Sequence, residues 1–389
     1  MKIALYQPWL YLHGGLERSI LELVSRSRHE WVIFTGYYDS EGTFSEFRKM
    51  KIVELKRLSV QRDIPTVLKV AASLILEKLP LNGFDAFVVW SDGMGDLTTV
   101  RNHDLPTFVI CSTPLRAVFD PVYERRALQM RNVSGKMSYK LFKIVFKIAD
   151  KIAWKYFDGV VATSLEVKNR IINGGLYGDC SRMVLYHPGI DWHSYSENVQ
   201  FDPILLVPGR IMWTKNIELA IDAFNEANLP RPWKLVICGF LDKKSLSYLE
   251  LLKARAQGND QIDFVISPDD SVLKDLYRRS SVVLFPPLNE DWGIVPLEGM
   301  ASSKPVIANA RGGPLESIIN GETGWLLRPD KRIWAKILNE ILPNKDLLIQ
   351  MGQNARNHVR KYDWSYFVNG VDTAIEKWSK DISLSKIQN

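Results

Sequence analysis

Thirteen short runs of consecutive apolar residues, rich in valine and isoleucine, mark the chain at intervals, and segments of helical period lie between them. Seven fall in the first half: KIALYQP, EWVIFTG, KIVELKRL, FDAFVVW, TFVICS, GVVATS and MVLYHPG. Six fall in the second: ILLVPGR, KLVICGF, QIDFVIS, SVVLFPP, PVIANA and GWLLRP. A strand covered on both faces reads as a continuous apolar run, and strands that alternate with helices build parallel sheets. The pattern predicts two doubly wound α/β domains of Rossmann-like kind facing across a cleft. Ligands are then expected at the carboxyl ends of the strands and in that cleft. The two series part at YHPGIDWHSYSENVQFDP (Tyr186–Pro203), which lacks helical period and carries Pro, Gly and Ser. This gives an N-terminal domain over 1–195 and a C-terminal domain over 196–365. A final amphipathic helix over 366–389, its pattern starting at Trp364, is expected to pack back on the N-terminal domain.

Composition narrows the class. A chain of 389 residues exceeds one ordinary core and suits two domains of roughly 150–200 residues. Its 46% apolar and 24% charged residues are those of a soluble globular protein. Cys111, Cys180 and Cys238 are too few and too scattered for a disulfide framework or a zinc site, and are read as buried free thiols in a reducing cytosol. The start, MKIALYQPWLYL, is broken by Gln7 and Pro8 and does not read as a signal peptide. No stretch reaches the about 18 apolar residues that span a bilayer, so any membrane contact is expected from the surface.

Three segments carry candidate chemistry. NEDWGIVPLEGM follows the run SVVLFPP and places Glu290 at a strand end and Glu298 on the next helix, either side of a turn with Gly293. Two such acids can accept hydrogen bonds from the vicinal hydroxyls of sugars. Glu290 and Asp291 would equally serve as helix-capping acids. Glu298 lies inside the apolar stretch IVPLEGMA, where a solvated acid is not expected. In PGRIMWTKN, Arg210 and Lys215 stand just past the run ILLV and beside the start of a helix expected over Asn216–Ala227. Cations at a strand end beside a helix N-terminus suit a diphosphate, or are two ordinary loop cations. In YLHGGLERSI, Gly14-Gly15 opens a helix whose amides could approach a phosphate; it does not match G-x-G-x-x-G.

Together these segments resemble the retaining nucleotide-sugar glycosyltransferases of family 4, which have the GT-B fold. The resemblance rests on Glu290…Glu298 as E-x7-E, on Gly209, Arg210, Lys215 and Asn216, on Gly14 and Gly15, and on KPVIANARGGPLESIINGETGWLLRPD. It implies an acceptor-binding first domain and a donor-binding second one. Glu290 would bind hydroxyls of the donor sugar and Glu298 the ribose. Arg210 and Lys215 would neutralise the diphosphate, helped by the amides of Ile294 and Val295. It further implies no metal and no cofactor, a front-face reaction with retention, and the departing phosphate acting as base. Relatives often carry histidine in a His-Thr-Pro-like turn; here the turn reads Cys-Ser-Thr-Pro-Leu-Arg, with Ser112 in that place and His13 as a substitute candidate. The S-T-P-L-R-x-V-F-D turn and EDWGIVPLE look most like mannosyltransferase-type members that build bacterial surface polysaccharides such as lipopolysaccharide. That favours GDP-mannose over a UDP-sugar as donor, and a glycan or polyprenyl-diphosphate-linked acceptor. A non-hydrolysing nucleotide-sugar epimerase and a non-catalytic sugar-nucleotide-binding protein at the membrane are the alternatives.

Charge adds one more element. Net charge is +6, and residues 1–195 hold 26 Lys/Arg against 20 Asp/Glu while 196–389 hold 24 against 24. Residues 116–155 alone carry ten basic and three acidic side chains. Within Ser134–Phe157, Lys136, Lys140, Lys143, Lys147, Lys151 and Lys155 make one stripe on a helix, with Phe142, Val145, Phe146, Ile148, Ile152 and Tyr156 on other faces. The stripe is either a solvated face or a surface that parks the protein on the cytoplasmic side of an anionic inner membrane. No nucleic-acid module accompanies it, and nucleic acid is not expected as a partner.

Overall fold

The computed structural model describes residues 1–61, 63–129, 131–196 and 200–388. Residues 197–199, within the expected seam, and Asn389, at the end of the expected last helix, lie outside the described residues. All thirteen apolar runs are strands: β1 (Lys2–Tyr6), β2 (Glu30–Thr35), β3 (Ile52–Glu54), β4 (Ala86–Ser91), β5 (Thr107–Cys111), β6 (Gly159–Ala162), β7 (Met183–Leu185), β8 (Ile204–Pro208), β9 (Lys234–Gly239), β10 (Ile262–Ile266), β11 (Val282–Phe285), β12 (Val306–Asn309) and β13 (Gly324–Leu327). They form a seven-stranded sheet, β3-β2-β1-β4-β5-β6-β7, and a six-stranded sheet, β10-β9-β8-β11-β12-β13. Every pairing is parallel.

The chain divides into two compact units, Met1–Gly189 with Trp364–Asn389, and Ile190–Asp363. The helix Trp364–Gln388 belongs to the first unit for a packing reason. Its Phe367, Val371, Ile375 and Trp378 join Ile3, Leu5, Val88 and Phe108 in one core on a face of the seven-stranded sheet. Asp372, buried, accepts hydrogen bonds from Ser27 Oγ at 2.7 Å and the Arg28 amide at 3.1 Å. A second core, including Phe87, Val109, Phe146 and Trp154, covers the other face.

Two expectations change. The lysine-rich helix runs over Val133–Ala153 and tightens into a 3₁₀ turn at Trp154–Tyr156, instead of continuing to Phe157. Cys111 and Cys238 are buried, but Cys180 is exposed. It sits in a short turn before β7 whose neighbours Asp179, Ser181 and Arg182 are polar, so nothing apolar covers it. Among the described residues, no helix is long and apolar enough to cross a membrane.

The lysine-rich helix is fastened by a buried acid pair. Asp96 follows β4 and accepts from Ser91 Oγ at 3.2 Å and from Trp154 Nε1 at 2.8 Å. Asp150, on the inner face of the helix, hydrogen-bonds Asp96. Burial pushes the Asp96 carboxyl up to about 6. Burial, and then the charge of Asp96, holds Asp150 well above the usual range. The folded protein therefore holds a proton here to higher pH than the unfolded chain does. A carboxyl raised on folding contributes full stability below its unfolded value near 3.8 and loses it as pH rises through the folded value. Asp150→Asn preserves a hydrogen bond to Asp96 without the proton. Its melting temperature relative to the parent protein is expected to rise as pH goes from about 5 to about 8. A gap that stays constant across that range would refute the shared proton.

Candidate active site

In the six-stranded sheet the chain winds outward from β8 through β9 to β10, then returns to place β11, β12 and β13 on the other side. The winding reverses between β8 and β11. Loops leaving the carboxyl ends of these neighbours diverge, which opens a crevice. Gly209, Arg210 and Lys215 follow β8; Asn289 to Gly293 follow β11.

The structure brings Lys215 and Glu290, 75 positions apart, into an ion pair with Nζ 2.8 Å from Oε2; both side chains are 20% exposed. Arg210, five positions before Lys215, is exposed. Asn216 is a left-handed residue (φ 51°) that caps a helix beginning at Ile217. The Ile217 amide is taken by Tyr248 OH at 3.0 Å. Asn216 Nδ2 donates to the Pro286 carbonyl at 3.1 Å, and Asn309 Nδ2 donates to the Pro286 and Pro287 carbonyls at 2.7 and 2.9 Å. Two asparagines, one capping the helix after β8 and one at the end of β12, thus hold the turn that delivers Glu290.

The Glu290 backbone is held as well. Gly313 N donates to Glu290 O at 2.9 Å, and Gly312 (φ 64°) lies so close that a Cβ there would stand 2.0 Å from Glu290 O. No other residue type fits without moving the acid. Gly293 (φ 88°) caps the helix Ile294–Ala301, whose first amides belong to Ile294 and Val295. Glu298, half-buried on this helix, accepts from Tyr277 OH at 2.6 Å. Burial, and then the charge of Glu298, holds the Tyr277 phenol well above its usual range. Tyr277 is therefore a permanent donor to Glu298.

The remaining candidates belong to the first unit, at the carboxyl edge of its own sheet. Gly14 caps the helix Gly15–Arg26 that follows β1. A Cβ on Gly14 would stand 2.5 Å from Glu17 Oε2, so a carboxylate of the same helix already lies against the first turn. Ser112, after β5, accepts from Trp90 Nε1 at 2.8 Å. The turn behind it is fixed by Arg170 Nη1 to Thr113 Oγ1 at 2.7 Å and by Arg116 to Asp120 at 2.8 Å. Burial raises the Asp120 carboxyl, but Arg116 and Arg170 outweigh it and bring it below the usual value. His13 is exposed, its Nδ1 3.1 Å from Gly42 O.

Tyr277, Asn309, Gly312 and Gly313 are the positioning residues that the chemistry of the three segments did not single out. Asn309, Gly312 and Gly313 stand in the quoted stretch KPVIANARGGPLESIINGETGWLLRPD; Tyr277 carries no local signal.

Two doubly wound parallel sheets in succession, with cations and acids on the carboxyl edge of the second, define the GT-B class of glycosyltransferases. Solved structures share the fold. Sucrose-phosphate synthase from Thermosynechococcus elongatus aligns over 97% of this chain and 98% of its own, with a TM-score of 0.73 at 18% identity. Anabaena HepE, solved in complex with UDP-glucose, aligns over 99% and 100% with a TM-score of 0.70 at 15% identity. The family profile of glycosyl transferases group 1 matches residues 192–358. The α-1,3/1,6-mannosyltransferase ALG2 of Rhizomucor pusillus is 31% identical over 412 residues, covering 92% of this chain and 88% of its own. The alg2 enzyme of Schizosaccharomyces pombe, bearing the same description, is 26% identical over 389 residues, covering 87% and 73%. The chain belongs to the group 1 glycosyl transferases.

Removing only the hydroxyl that holds Glu298 tests its positioning. A hydrogen bond to a charged group is worth about 1.5–3 kcal/mol. Tyr277→Phe is expected to raise the KM for the nucleotide-sugar donor roughly tenfold while kcat changes less. An unaltered donor KM would remove Glu298 from the donor site.

Proposed function

We propose that this protein transfers a mannosyl group from a nucleoside-diphosphate sugar, GDP-mannose first among donors, to a lipid-linked glycan acceptor, with retention and without a metal ion. The observation that carries this reading is the Lys215–Glu290 pair at the winding reversal. A mannosyl donor presents an anionic diphosphate and a hydroxyl-bearing ring side by side. Lys215 and Arg210 take the diphosphate, and the Ile294 and Val295 amides at the helix start add their partial positive charge. Glu290 accepts from the sugar hydroxyls, and Glu298, steadied by Tyr277, from the ribose. As the sugar–phosphate bond breaks, negative charge grows on the leaving diphosphate, where the two fixed cations already stand. The departing phosphate removes the acceptor proton on the same face. In the first unit, Ser112 takes its hydrogen bond from Trp90 and keeps its own hydroxyl proton to donate. The protein works on the cytoplasmic face of a membrane, at an anionic surface met by the segment 134–157. The mannosyl assignment draws on the names borne by the fungal relatives and on the turn sequences quoted above.

Losing one fixed contact to the leaving group costs on the order of 10²–10³-fold in rate. Lys215→Ala and Glu290→Ala are each expected to lower mannosyl transfer by about that factor, and a chelator is expected to leave the parent rate unchanged. Stabilisation by GDP-mannose above UDP- and dTDP-sugars in a thermal shift would match the donor assignment. Intact transfer in both variants would overturn the site; epimer formation without acceptor, or binding without turnover, would overturn the reaction.

A further inference from the structure

The helix Val133–Ala153 has two unlike faces. Tyr139, Phe146, Asp150 and Ala153 are buried against the first unit. On the outside, Val133, Met137, Leu141, Ile144, Ile148 and Ile152 are between 44% and 81% exposed. From Met137 onward these apolar residues are spaced four, three, four and four apart, so they form one continuous ridge. Each of Met137, Leu141, Ile144, Ile148 and Ile152 directly follows a lysine. Consecutive helical residues stand about 100° apart, so the lysines make a second stripe along one flank of the ridge. Lys136, Lys140, Lys147 and Lys151 are exposed. Lys143 is drawn to Glu124 at 2.6 Å.

A merely solvated face would be polar, and an ordinary core helix would turn its largest apolar residues inward. This helix turns a row of them outward, beside the strongest basic excess in the chain. We propose that the ridge enters the acyl boundary of an anionic lipid leaflet while the flanking lysines meet the lipid phosphates. The charge on the flank is of one sign, which suits a uniformly anionic sheet, and an apolar ridge beside a basic flank is the form of a helix lying in the plane of an interface. The proposal rests on the membrane-surface part of the reading above and deepens it: docking has an apolar component that salt does not screen.

Flotation of the full chain with vesicles of phosphatidylcholine and phosphatidylglycerol tests this at about 0.1 M and about 1 M salt, where screening lengths are about 10 and about 3 Å. The parent protein is expected to remain vesicle-bound at high salt. The variant Leu141→Ser, Ile144→Ser, Ile148→Ser is expected to bind at least roughly tenfold more weakly and to be released by high salt. Ile144→Phe with Ile148→Phe is expected to tighten binding, which guards against a serine variant that fails to fold. Equal binding by the parent and both variants would overturn the proposal. So would complete release of the parent protein by salt, or a parent dimer that the serine variant converts to monomer without change in vesicle binding. Transfer to a soluble acceptor, expected to be kept by the serine variant and lost with Lys215→Ala, separates failure of the docking surface from failure of the transferase reading.

Discussion

The candidate site depends on one constraint, the reversal of winding between β8 and β11. In a parallel sheet every strand ends on the same edge, and helices cover the faces. Only where the chain changes direction do two adjacent strands send their loops apart and leave backbone and side chains uncovered. Lys215 comes from one of those loops and Glu290 from the other, and their 2.8 Å contact bridges the gap. Asn216 and Asn309 tie the Glu290 loop down from both sides, through carbonyls that prolines leave in place.

The ion pair also limits what the crevice accepts. Its partners are largely shielded from water, so breaking it without replacement costs more than a surface pair would. A bare phosphate would satisfy Lys215 and leave Glu290 facing like charge. A bare sugar would satisfy Glu290 and leave the ammonium alone. A ligand with an anion and vicinal hydroxyls at adjacent positions replaces both partners at once, which is the chemistry proposed for the donor. Glu298 is held to a separate task by Tyr277, a phenol that does not ionise at physiological pH and so always donates.

In the first unit the same economy of one helix serving two surroundings recurs. The inner face of Val133–Ala153 is fastened by Phe146 and Asp150, and the turn after it by the hydrogen bond from Trp154 to Asp96, while the outer face keeps its apolar row in solvent. Of the two buried carboxyls, Asp96 is the one supplied with donors, Ser91 and Trp154, so it is the better placed to carry the charge. The anchorage and the ridge are thus opposite sides of one element.

Much of this was legible in the residues themselves. Strands buried on both faces must be continuous apolar runs, and the inner strands declared themselves that way, while the edge strands β3 and β10 are only partly covered. The cations of PGRIMWTKN and the acids of NEDWGIVPLEGM stood out because charge at the end of an apolar run is unusual. Sequence period also showed that six lysines share a stripe. What it could not show is which face of an element another element covers, or which distant side chain answers a given polar atom. The union of Lys215 with Glu290, the grip of Tyr277 on Glu298 and of Trp90 on Ser112, the exposure of Cys180 and the bare apolar ridge were all decided by tertiary packing. Periodicity is a property of one segment with itself; coverage and pairing are set by segments tens to hundreds of residues away, brought near only when the sheets close.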